Sequence, residues 1–165
     1  MEDLRIELRP EAEGDVAFLA NLYRDTRRRE VAAWGWPPQQ AAVFLNMQFE
    51  AQRRGYRQMY PNATGRIIQL AEIDAGRLLV NEDSSAMHLI DIALLEGYRN
   101  RGIGTHLLNE LQRECDLRQA TLRLHVLAAN PARRLYRRLG FEELSADEVY
   151  VQMERSRRPA FEGAS

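Results

Sequence analysis

Residues 87–95, Met-His-Leu-Ile-Asp-Ile-Ala-Leu-Leu, form a nearly continuous apolar run, and this run constrains the fold more than any other part of the chain. A strand with one face in water alternates apolar and polar residues, whereas a run like this fits a strand buried on both faces. After it, residues 98–104 read Tyr-Arg-Asn-Arg-Gly-Ile-Gly, with two glycines and no acid. The next stretch repeats Leu107, Leu108, Leu111 and Cys115 at helical spacing. Residues 121–127 then place Leu122, Leu124 and Val126 on one side of a strand. A buried strand, a glycine loop, a helix and a second strand therefore form the centre of the fold.

The flanks are legible by the same rules. Leu4, Ile6 and Leu8 alternate with polar residues and stop at Pro10, as a half-buried strand does. Asp15 reads as the N-cap of a helix with Val16, Leu19, Leu22 and Tyr23 on one face, running to about Val31 before the breaker Trp-Gly-Trp-Pro-Pro. A second helix is expected from Pro38 to about Arg57, and Pro61 and Gly65 close this helical half. Residues 66–71 and 75–81 read as two strands joined by a short acidic turn. Asn130 caps a helix that begins at Pro131, where the missing N–H is harmless, and ends at Gly140. A short strand near Phe141 and a last one over 149–155 complete the pattern. We expect one domain over residues 1–156 and a flexible tail over 157–165.

Composition excludes more than it suggests. A chain of 165 residues can bury roughly two thirds of its unfolded surface in one core. With 45% hydrophobic residues, 28% charged residues and a net charge of -1, nothing points to nucleic acid or a membrane surface. All 23 basic residues are arginine, so there is no lysine amine to acylate. A single Cys115 excludes an internal disulfide and suits a reducing compartment. The first ten residues are charged and no run approaches ~18 apolar residues, so neither a signal peptide nor a membrane span is read, and a cytoplasmic location is expected. His106 and His125 lie on different elements and belong to no set of Cys, His and carboxylate ligands, so no metal is implied.

The glycines ask for a reason, because glycine weakens a helix start. A strand, a short glycine loop and a helix make an anion site, since the first N–H groups of a helix lack internal partners and lie at the positive end of its dipole. Gly102 and Gly104 would let the main chain approach phosphate oxygens, and Arg99 and Arg101 would add charge-assisted bonds. A plain connector with two turn glycines is the other reading. A dinucleotide fingerprint would need glycine at Leu107, and a P-loop a Gly-Lys-Ser/Thr ending, and both fail.

Arg99-Asn100-Arg101-Gly102-Ile103-Gly104 resembles the Arg/Gln-x-x-Gly-x-Gly/Ala loop of the GNAT acyltransferases, and residues 130–143, Asn-Pro-Ala-Arg-Arg-Leu-Tyr-Arg-Arg-Leu-Gly-Phe-Glu-Glu, are similar to that family's next motif. The resemblance covers the chain from about Arg66 to Glu154. It implies an α/β (α+β) GNAT fold: a central mixed, mostly antiparallel sheet of six to seven strands, splayed between the fourth and fifth strands and flanked by about four helices. It also implies acetyl-CoA as co-substrate and an amine acceptor, on a monomer or homodimer.

Residue roles follow from the same resemblance. Backbone groups of Arg99, Asn100, Arg101, Gly102, Ile103, Gly104 and Thr105 would hold the pyrophosphate, with Asn130 and Ala132 near the pantetheine arm and Arg133 near the 3′-phosphate. Backbone N–H groups of Ile92, Ala93 and Leu94 would hold the thioester carbonyl. Tyr136 matches the tyrosine that protonates the departing thiolate, a phenol of pKa about 10 giving its proton to a thiolate of about 8.5; on an amphipathic helix it is equally a packing residue. Where histone-type members carry a glutamate, this chain has His88, with Asp91 of opposite parity as the rival base and Glu72 acting through water as a third candidate. Trp34, Trp36 and Tyr56 form either the walls of an acceptor pocket or a small core. A non-catalytic acyl-CoA sensor, or an interaction module, on the same fold is the alternative to an N-acetyltransferase.

Overall fold

The computed structural model describes residues 5–156. Leu4, expected in the first strand, and the tail 157–165, expected to be flexible, lie outside the described residues. The described chain divides into two compact units, one holding the residues up to Leu79 together with Asp91–Arg101, the other holding Val80–Ile90 and the residues from Gly102 onward.

The elements are β1 (Ile6–Pro10), α1 (Val16–Ala32), α2 (Pro38–Met59), β2 (Thr64–Leu70), β3 (Ile73–Glu82), β4 (Ala86–Leu94), α3 (Ile103–Arg118), β5 (Thr121–Leu127), α4 (Ala132–Arg138), β6 (Glu142–Ala146) and β7 (Tyr150–Arg155). The strands run β1-β2-β3-β4-β5-β7-β6 in one seven-stranded sheet. β1 pairs antiparallel with β2, β7 antiparallel with both β5 and β6, and β4 parallel with β5. The expected mixed, mostly antiparallel sheet with four helices is therefore present. Two strands, β3 and β4, pass from one unit into the other.

In the first unit, Leu19 and Leu22 of α1, Phe49 of α2 and Ile67 of β2 form a buried cluster against which Ala93 and Leu95 pack. The side chains of Ala93 and Leu95 thus face α1 and α2, and by the two-residue period of a strand so does Asp91. In the second unit, Ile103, Leu107, Leu108, Leu111 and Cys115 of α3 are buried together with Leu122, Leu124 and Val126 of β5. Two polar ties fix α3 in place. Arg155 of β7, itself buried, donates through both Nη atoms to Asp116 at 3.0 Å, and the Gln112 amide donates to the Leu139 carbonyl at 2.7 Å, holding the end of α4. Burial pushes the Cys115 thiol up to about 11, with Glu114 adding to the shift. It stays a neutral thiol at neutral pH and is a poor nucleophile.

Asp15 does not cap α1 as expected. Its carboxylate instead accepts from Arg9 Nη1 and Nη2 at 3.0 and 2.8 Å and from the Ala12 N–H at 2.8 Å. The bidentate guanidinium is a stronger partner than a free helical N–H, and this tie joins β1 to the start of α1. The Arg9 bonds first, and the Ala12 N–H second, hold the Asp15 carboxyl below the usual carboxylate range. A lowered pKa contributes stability fully above the unfolded value of about 3.9, and this is lost as pH falls through the folded value. Asp15→Asn should therefore lower stability at pH 7 by about 1–2 kcal/mol. Thermal melts should show the gap between the two proteins closing as pH falls below about 3.9.

No helix among the described residues is long and apolar enough to cross a membrane.

Candidate functional site

In the second unit the candidate residues begin at the start of α3. Gly102 precedes the helix with φ +82°, a left-handed backbone that glycine adopts without a Cβ penalty. The first helical bond runs from the His106 N–H to the Gly102 carbonyl at 3.0 Å. The N–H groups of Ile103, Gly104 and Thr105 come ahead of that bond and have no intrahelical acceptor. Ile103 is buried and anchors this end, so the three donors are held on a rigid element. Gly104 lies inside the helix, where glycine costs about 1 kcal/mol relative to alanine, yet beyond its chain neighbours and its own helix backbone nothing lies within 4 Å of the place a Cβ would occupy. Neither backbone twist nor internal packing accounts for that glycine.

The same unit holds the second motif. Asn130 Oδ1 accepts the Ala132 N–H at 2.9 Å and so caps α4 as expected, one residue off in register. Arg133 donates to the Ala128 carbonyl and to Glu143, both at 2.6 Å, and Arg137 also bonds Glu143, so this carboxylate holds both guanidinium groups. Tyr136 is 8% exposed, with its ring edge-on to Phe141 at 5.7 Å. His88 sits within the paired part of β4, opposite Arg123 of β5, with Nε2 3.6 Å from Asp83.

The first unit carries the end of β4 and the residues just after it. Leu95 donates its N–H to the Ala75 carbonyl at 2.8 Å, so Leu95 turns toward β3. On an extended strand the N–H and C=O of one residue point the same way and alternate along the chain. Leu94 and Ile92 therefore present their N–H groups away from β3, and Ala93 presents its own toward it. The Ala93 carbonyl confirms the alternation, since its oxygen lies 2.1 Å from where a Cβ on Gly76 would stand. Only glycine fits at position 76. On the other side the Leu94 carbonyl accepts Arg99 Nε at 2.9 Å, and Arg99 Nη2 pairs with Asp25 of α1 at 3.2 Å. Arg101 lies over the Tyr98 ring at 5.6 Å, and Asn100 has φ +60°. The Arg99 guanidinium, expected at the pyrophosphate, is thus engaged by protein groups.

Among the acid and base candidates, Asp91 accepts Arg77 Nη2 at 3.0 Å. The Arg77 side chain is 8% exposed, its Nε has no partner, and its guanidinium lies 6.0 Å from the Tyr56 ring centre. Glu72 is exposed on the two-residue turn between β2 and β3, where both Ala71 and Glu72 have positive φ. Trp34, Trp36 and Phe44 form a cluster with ring centres 5.1–5.7 Å apart. The two tryptophans stay 40% and 38% exposed, beside a groove of about 450 Å³ lined by Trp36, Gln39, Gln40, Val43, Phe44 and Met47. The structure sets Tyr56 and Asp91 each against Arg77 and packs Trp34 against Trp36, while Glu72 lies exposed on its turn.

Residues 63–143 match the family model of the acetyltransferase (GNAT) domain. The chain carries a GNAT acetyltransferase domain. No curated protein matches the sequence. Among solved structures, the PaiA N-acetyltransferase of Thermoplasma acidophilum in complex with coenzyme A is 17% identical, with a TM-score of 0.69 over 92% of this chain and 98% of that one. An acetyltransferase from Thermus thermophilus is 18% identical, with a TM-score of 0.66 over 94% and 99% of the two chains. At such identities the likeness shows a shared GNAT fold.

Three residues of this GNAT domain escaped the sequence reading. Gly76 had a signal, since a glycine inside a strand marks a bulge or a close backbone approach. Asp25 and Arg77 had only weak ones, an acid within a helix and a charge within an apolar strand, and their partners lie 74 and 14 residues away.

Proposed function

We propose that this GNAT acetyltransferase moves the acetyl group of acetyl-CoA to a primary amine of a small molecule, peptide or protein by direct attack. The observation that carries the reading is the start of α3, where three partnerless N–H groups accompany a glycine that no internal contact explains. That combination suits a pyrophosphate, which needs donors, positive potential and close approach. The PaiA enzyme solved with coenzyme A shares the fold and supports the choice of ligand.

Acetyl-CoA supplies an activated acetyl thioester. The chain supplies binding, orientation and proton handling. Ile103, Gly104 and Thr105 hold the pyrophosphate through their main chain, with Gly102 setting the loop that precedes them. Asn130 and Ala132 border the pantetheine arm. The N–H groups of Ile92 and Leu94, which face away from β3, are the donors for the thioester carbonyl oxygen as negative charge builds on it. Ala93, whose carbonyl points at Gly76, contributes spacing rather than a donor.

For the amine, Asp91 fits better than His88. Along a strand rising about 3.3 Å per residue, His88 lies roughly 13 Å from Ile92 and roughly 20 Å from Leu94, whereas Asp91 lies roughly 3 Å and roughly 10 Å from them. Asp91 holds the incoming ammonium and passes its proton to water, and Arg77 fixes the Asp91 rotamer. Tyr136 donates a proton to the thiolate, so Tyr136→Phe should lower kcat tenfold or more. An unchanged turnover would assign that proton to water or another group. Trp34 and Trp36, with Tyr56, wall the acceptor region. Replacing both tryptophans by alanine should raise the acceptor KM at unchanged melting temperature, whereas an unfolded protein would make the cluster a core.

The test is release of free CoA thiol from acetyl-CoA with a panel of amines and peptides. Acceptor-dependent release supports the transferase. Stabilisation by acetyl-CoA with no release under any acceptor would instead make the protein an acyl-CoA sensor; ligand at 100 times Kd should add roughly 2.7 kcal/mol.

A further inference from the structure

Asp25 is an acid in the middle of α1, a place where aspartate is a weak helix former, and its side chain is only 9% exposed. Something must repay that burial. Its carboxylate accepts the Glu96 N–H at 2.8 Å and Arg99 Nη2 at 3.2 Å, and pairs with the exposed Arg28 at 3.2 Å. The first two partners lie just beyond β4, and Arg99 in turn donates Nε to the Leu94 carbonyl.

From this chain of bonds we infer that Asp25, acting through Arg99, is a positioning residue for the Leu94 N–H. The inference rests on the proposed role of that N–H at the thioester. The peptide after Leu94 is clamped on both edges, its carbonyl by Arg99 and its N–H by the Ala75 carbonyl. The peptide before Leu94 turns the Ala93 carbonyl toward Gly76, into space that a side chain at position 76 would fill. With the following plane clamped and the preceding carbonyl turned toward β3, the Leu94 N–H points away from β3. Of these restraints, only the Arg99 clamp depends on side chains, and it is anchored on α1. The arrangement also gives Arg99 a task other than neutralising phosphate: its planar fork serves a carbonyl and a carboxylate together, which an ammonium on a flexible stem does not reproduce.

The test uses Asp25→Asn, with Arg99→Lys as the second variant should the first fail to fold. Three quantities are read on the full chain: kcat, the Kd of CoA, and the infrared stretch of the thioester carbonyl in bound, carbonyl-labelled acetyl-CoA. In the wild type the bound stretch should lie below that of acetyl-CoA in water, reporting the donors. Either variant should lose most of that shift and roughly tenfold to hundredfold in kcat, while the Kd of CoA changes less than about threefold. A folded variant that keeps both the infrared shift and kcat overturns the inference. So does a loss of CoA affinity without loss of the shift, which would make Arg99 a phosphate ligand. A wild type that binds acetyl-CoA with the shift but acetylates nothing overturns the transferase reading alone. One that binds no acetyl-CoA overturns both.

Discussion

Gly102→Asp is expected to weaken coenzyme A binding by two to three orders of magnitude, measured by calorimetry on folded protein. The backbone at residue 102 has φ +82°, and aspartate tolerates that region better than most residues, so the fold survives. Apart from its chain neighbours, nothing lies within 4 Å of the new Cβ, so there is no steric clash with the rest of the chain. What changes is charge. A carboxylate about 5 Å from a phosphate repels it by roughly 3–4 kcal/mol at an effective dielectric of about 20, or about a hundredfold to a thousandfold in affinity. Gly102→Asn supplies the same shape without the charge and should lose far less. Equal losses for the two variants would show that bulk, rather than an anion in contact, governs this position.

Gly76→Ala should act on the other half of the reaction. Its Cβ would lie 2.1 Å from the Ala93 carbonyl oxygen and 2.9 Å from Leu94 Cδ2. A backbone oxygen cannot step aside as a flexible side chain does, so the end of β4 must shift or rotate. Losing one correctly aimed donor costs about a hundredfold to a thousandfold in kcat, and that is the expected fall. Overpacking should also destabilise the fold by about 1–3 kcal/mol, which thermal melts will register. Affinity for CoA should change little, because the donors at the start of α3 belong to another element. A variant with normal kcat would remove Leu94 from the thioester site.

Local pattern was enough for the fold, and distance in sequence hid much of the site. The apolar run at 87–95 and the helical spacing after Gly104 depend on near neighbours; β4 appears one residue from the expected bounds, and α3 covers Leu107, Leu108, Leu111 and Cys115 as expected. Gly102 and Asn130 were legible for the same reason, since each acts on backbone within a few residues. Asp15 misled because an acid before a helix suggests a cap, and nothing nearby announces that Arg9 will take the carboxylate. The acidic turn between β2 and β3 was legible, but it sits at Ala71 and Glu72 with positive φ and no glycine, so its exact place had no signature. The clamp from Asp25 through Arg99 to Leu94 spans three elements. The sequence shows each member as an ordinary charged or apolar residue, and only the fold makes them partners.

The most direct measurement is a crystal structure with coenzyme A bound. The account predicts pyrophosphate oxygens within about 3 Å of the N–H groups of Ile103, Gly104 and Thr105. A nucleotide lodged elsewhere, with those three groups bonded only to solvent, would contradict it.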